Sequence, residues 1–92
     1  MGRGMTSSEW LLYLGSDDAH RRLLEEAGSL ALAAWQLARV RCAAGPVATE
    51  VPNRLELRGA AREIARRVGL PSEVPPGRAL ASECEAAGLP VV

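Results

Sequence analysis

The residues of this chain best suited to recognition chemistry are its arginines. Arg54, Arg58, Arg62 and Arg66 recur every four residues, and Arg67 lies beside the last of them. On a helix that interval stacks the guanidinium groups along one side, where like charges repel by about 0.2–0.5 kcal/mol per pair. Such a ridge is unfavourable unless something anionic lies opposite it. Residues 53–69 hold five arginines against Glu56 and Glu63, a local charge of +3, whereas residues 70–92 set Arg78 against Glu73, Glu83 and Glu85, a charge of −2. Either the two segments pair, within one chain or between copies, or the ridge takes phosphate. In the second case Arg54, Arg58, Arg62, Arg66 and Arg67 are the candidate anion or nucleic-acid contacts.

Catalytic candidates are fewer. The single histidine, His20, stands three residues after Asp17, and no nucleophile has a spacing that brings it near, so it reads as a solvated surface side chain rather than a general base. Asp17-Asp18 and Glu25-Glu26 are adjacent pairs that point to different faces of a helix and form no carboxylate dyad by local geometry. Cys42 and Cys84 lack the CxxC or Cys/His spacing of zinc and redox sites; they read as small buried apolar residues, with a disulfide between them left open. No glycine-rich phosphate loop occurs. The sequence therefore gives no support to an enzyme, and no cofactor or metal is expected.

These side chains must be positioned by a small scaffold. Ninety-two residues make one domain with one modest core. Apolar residues are 48% of the chain and charged residues 24%, in the range of ordinary globular proteins rather than disordered tails. Eleven arginines balance eleven acids, lysine is absent, and the formal charge is zero, so any pull on nucleic acid must be local. Sixteen alanines and thirteen leucines supply the apolar bulk, while strand formers are scarce. The longest charge-free stretch, Ala27 to Ala38, is 12 residues against the ~20 of a membrane helix. No membrane association and a cytoplasmic location are expected.

Start and stop signals divide the chain into helices. Thr6-Ser7-Ser8-Glu9 has capping-box spacing and opens a helix over about 7–14, closed by Gly15; residues 1–5 are expected to lack fixed structure. Ser16-Asp17-Asp18 begins a long helix over 17–44, stopped by Gly45-Pro46. A break at Gly28-Ser29 is the lesser alternative. A third helix reads over 54–68, ended by Gly69 and Pro71, and a fourth over about 76–87, ended by Gly88. Leu57, Ala61, Ile64 and Val68 form the buried seam of the third, and Leu80, Cys84 and Ala87 that of the fourth.

Two seams run along the 17–44 helix. One steps through His20, Leu23, Ala27, Leu30, Ala34, Leu37 and Arg41; the other through Leu24, Gly28, Ala31, Trp35, Ala38 and Cys42. Two adjacent seams make this the central helix of a three- or four-helix bundle. An alanine-rich core buries few methylenes, each worth about 0.8 kcal/mol, so a chain this small gains by self-association. Leu23, Ala27, Leu30, Ala31, Ala34, Trp35, Leu37 and Ala38 are the expected contacts with a second copy, in a dimer.

Two family resemblances are partial. Gly59 to Pro71, GAAREIARRVGLP, resembles the second helix and turn of bacterial and archaeal helix-turn-helix regulators, and Leu80 to Val92 looks like the end of a recognition helix running into a strand. That likeness implies major-groove binding by the following helix, although Pro75, Pro76 and Gly77 stand where the recognition helix should start and Arg78 is its only basic residue. The order of an Ala- and aromatic-rich helix, a Gly-Pro break, a loop and two shorter helices is similar to small HEPN-like helical proteins. That likeness implies dimerisation through long helices. Nuclease members carry an Arg followed four to six residues later by His; here His20 precedes Arg21 and Arg22, so no RNase residues carry over. The resulting expectation is an all-α, non-enzymatic interaction module, with a nucleic-acid-binding regulator as its rival.

Overall fold

A computed structural model describes residues 15–46, 49, 51–71 and 73–92. The expected helix over 7–14 and the start at 1–5 lie outside these. The described residues form four helices: α1 (Asp17–Ala27), α2 (Leu30–Ala44), α3 (Arg54–Val68) and α4 (Gly77–Ala86). Among them there is no strand.

The expected 28-residue rod is two helices. Gly28 adopts the left-handed conformation at φ 79° and its N–H returns to the Leu24 carbonyl, closing α1. Ser29 then caps α2, its hydroxyl accepting from the Leu32 N–H at 3.2 Å. A straight helix over 17–44 would be about 42 Å long, which exceeds the 32 Å longest dimension of the molecule. Breaking the rod lets α1 fold back, so that both α1 and α2 pack on α3.

Each remaining helix has local reasons for its ends. Asn53 and Glu56 form a reciprocal capping box on α3, and Gly69 ends it at φ 77°. Pro76 precedes α4, which covers 77–86 rather than 76–87. Gly77 is there for space: a Cβ on it would lie 2.7 Å from the Arg54 carbonyl oxygen, so only glycine lets α4 approach α3 this closely.

α2 and α3 each touch all three other helices and enclose the core between them. Of the seam residues, Leu23, Ala31, Ala34, Trp35, Leu37 and Ala38 are buried in the chain's own interior, while Ala27 and Leu30 are half-buried. From α3 come Leu57, Ala60, Ala61, Ile64 and Ala65, and from α4 Leu80, Ala81 and Cys84; Ala87, expected inward, is exposed, and Val68 is only half-buried. The C-terminal residues are tied down. Pro90 accepts a 2.8 Å hydrogen bond from the Trp35 indole, and the Val92 N–H donates to the Pro52 carbonyl.

Candidate interaction surface

The arginines of α3 divide into two groups. Arg67 is consumed by the fold: its guanidinium donates to Glu63 at 2.6 Å, to Asp17 at 3.1 Å and to the Gly15 carbonyl at 3.1 Å, clamping the start of α1 to α3. Arg66 reaches the same Glu63 carboxylate at 2.7 Å. These guanidinium groups, Arg67 first, hold the Glu63 carboxyl below its usual range. Arg67 is thus a positioning residue rather than the free anion contact expected from the sequence.

Arg54, Arg58 and Arg62 are exposed and make no ion pair among the described residues. With about 100° of rotation per residue, Leu55, Gly59, Arg62 and Arg66 fall within an arc of roughly 60° on the side opposite the buried residues. All four are exposed. Leu55 is 82% exposed, and a Cβ on Gly59 would meet nothing within 4 Å. A mid-helix glycine costs about 1 kcal/mol in helix propensity, and no described residue crowds this one. At the far end of this face, Arg62 and Arg66 rim an apolar notch lined by Ala65, Leu70 and Val74. Sequence reasoning found the arginines and missed Leu55 and Gly59, whose signal was the four-residue step between them and the three-residue step on to Arg62.

The outward face of α4 has the opposite character. Ala79, Ser82 and Ala86 are exposed along its middle, with Glu83 on one flank and Glu85 on the other. The resemblance to helix-turn-helix regulators assigned base contacts to this helix, yet these two carboxylates would face the phosphates, with Arg78 the one cation on it. The opposed segments do not neutralise each other within the chain: Glu73, Glu83 and Glu85 make no ion pair among the described residues.

The remaining polar candidates are structural. His20 has no exposed surface, contrary to expectation. Its Nδ1 lies 2.9 Å from the Ser16 carbonyl, which makes Nδ1–H the donor, and its buried Nε2 has no hydrogen-bond partner among the described residues. Its place at the head of the Leu23 seam was the signal for burial. A ring sealed from solvent has no route to a substrate. Both cysteines are free. Cys84 is buried and its thiol points at the Ala31 carbonyl, 3.4 Å away. Cys42 donates to Glu56 Oε2 at 3.0 Å in a shallow cleft shared with Arg41 and Thr49. Burial, and then the Glu56 carboxylate, push this thiol above its ordinary range, which disfavours the thiolate a nucleophile needs.

Among the described residues no cluster of three or more His, Cys, Asp or Glu side chains could hold a metal ion, and no helix is long and apolar enough to cross a membrane. Comparison with known proteins finds no match: no protein family, no curated protein and no solved structure.

Proposed function

We propose that this protein is a non-enzymatic helical interaction module whose contact surface is the outward face of α3. The observation that carries this reading is the coexistence, on one solvent-facing side of a well-buried helix, of an 82% exposed leucine, an open glycine and arginines without ion pairs. Among the described residues nothing buries this leucine, crowds this glycine or pairs with Arg58 and Arg62, and each suits a contact with another molecule: the leucine as apolar anchor, the glycine as a point of close approach, the arginines as charge partners. Six of the eight expected seam contacts on α1 and α2 are buried in the chain's own interior, and Ala27 and Leu30 are half-buried, which favours the more exposed α3 face for association.

A photo-crosslinking residue placed at position 55 in cells that make the protein is expected to give a discrete adduct. The same residue at Gln36, exposed on α2, is expected to give none. Equal labelling from both positions would remove the assignment of α3.

The four-residue arginine interval favours one second reading, contact with nucleic-acid phosphates. It predicts salt-dependent retention of labelled RNA or DNA that is lost when Arg58, Arg62 and Arg66 are replaced by glutamine. Retention that ignores those substitutions counts against it.

A further inference from the structure

We propose that the outward face of α3 receives the outward face of α4 from a second copy of this chain, an inference that rests on the reading of α3 as the contact surface. The two faces are complementary in charge and in relief. On α3, Arg58 and Arg62 lie along one flank of Leu55 and Gly59, with Arg66 beyond them paired to Glu63; on α4, Glu83 and Glu85 flank a middle of Ala79, Ser82 and Ala86. Small residues there leave room for Leu55, and a glutamate on the flank that meets Arg58 and Arg62 gains guanidinium partners, which form short, often bidentate bonds with carboxylates.

These faces cannot meet within one chain. α4 lays Leu80, Ala81 and Cys84 on the core, and α3 lays Leu57, Ala61 and Ile64 on the same core, so their outward faces point away from it in different directions. Gly77 pressed against the Arg54 backbone fixes the two helices in that relation. Among the described residues Arg58 and Arg62 on one face and Glu83 and Glu85 on the other make no ion pair, and a second copy offers each face its complement.

The symmetry follows from the faces. An α3 face on an α4 face is a head-to-tail contact, which closes into a ring or extends as a chain and does not give a two-fold dimer. The contact holds few apolar atoms and relies on exposed ion pairs, so it is weak and sensitive to salt.

Sedimentation or light scattering at high protein concentration tests this. In low salt the mass rises with concentration, and at about 1 M salt, where the Debye length falls to about 3 Å, it returns to that of a monomer. The variant carrying Arg58→Glu and Arg62→Glu, and the variant carrying Glu83→Arg and Glu85→Arg, are each expected to be monomeric while keeping the helical circular dichroism of the wild type. Mixed in equal amounts, they recover the concentration-dependent mass. Leu55→Asp, which leaves every arginine and glutamate in place, also abolishes assembly. A wild type that stays monomeric in low salt, or folded charge variants that fail to complement each other, overturns the inference. Should the crosslinker at position 55 still give a discrete adduct with a different protein, the α3 face stands and only its assigned partner falls. Without any such adduct both fall together. RNA retention lost on arginine replacement, in a chain that remains monomeric, assigns the face to nucleic acid and likewise overturns the pairing.

Discussion

Leu55 and Leu57 stand two residues apart on α3; one is 82% exposed and the other has no exposed surface. The same contrast runs along the helix. On the inner side Leu57, Ala61 and Ile64 are enclosed by the other helices, and on the outer side Leu55, Gly59 and Arg62 are exposed. Arg67, on the flank between them, is claimed by Glu63 and Asp17. The difference teaches that the chain's small core is filled from one side of α3 alone. An exposed leucine or a mid-helix glycine on the other side is then not accounted for by the described residues and becomes informative about partners.

Substitution should separate the two sides sharply. Leu57→Ala empties a fully enclosed site and is expected to cost about 2–5 kcal/mol in urea unfolding, whereas Leu55→Ala should stay within about 0.5 kcal/mol of the wild type. Equal costs would erase the distinction between the two faces.

The glycines give a difference of sign. Gly77→Ala forces a methyl group toward the Arg54 carbonyl and is expected to destabilise by about 1–3 kcal/mol. Gly59→Ala meets open space and should stabilise by up to about 1 kcal/mol. If Gly59→Ala destabilised the isolated chain, the glycine would have an internal role and would cease to mark a contact surface.

Smaller effects divide the arginines. Arg67→Gln releases the clamp between α1 and α3 and should lower the urea midpoint. Arg62→Gln should leave the midpoint unchanged or raise it slightly as repulsion along the ridge is relieved.

The smallest effect is one of pH. Glu63 has its folded pKa held below the unfolded value, so its contribution is complete above the usual carboxylate range and is lost as pH falls through the depressed value. The stability difference between wild type and Glu63→Gln, followed by urea titration, should therefore be flat at neutral pH and shrink in acid. A difference that grew in acid would reverse the assigned sign.

Much of the helix inventory was legible because it is written in local chemistry. Asn53 three residues before Glu56, Gly69 before Pro71, and Ser16 before two aspartates are signals that act within one turn, and the helices begin or end at them. Gly28-Ser29 is the same kind of signal, a stop followed by a start. It lost to the unbroken run of alanine and leucine around it, because seam spacing continues across a break without showing it. His20 stood in that seam and was placed on the surface by its polarity. Burial was accessible from position, but the bond to the Ser16 carbonyl that accommodates one ring nitrogen was not. Among the arginines, four-residue spacing revealed a ridge and could not say which members the fold would take.

The sequence by itself determined an all-α chain, the ends of most of its helices, an alanine-rich interior and a local separation of charge. These depend on propensity, capping and periodicity, which operate over a few residues. Tertiary structure alone decided that α1 folds back from α2, that the seam residues are covered or half-covered by neighbouring helices, that Gly77 touches Arg54, and that Arg67 is bound while Arg54, Arg58 and Arg62 make no ion pair among the described residues. Each of those outcomes depends on which distant helix arrives at a given face, and a contact between residues fifty positions apart leaves no periodic trace in either segment.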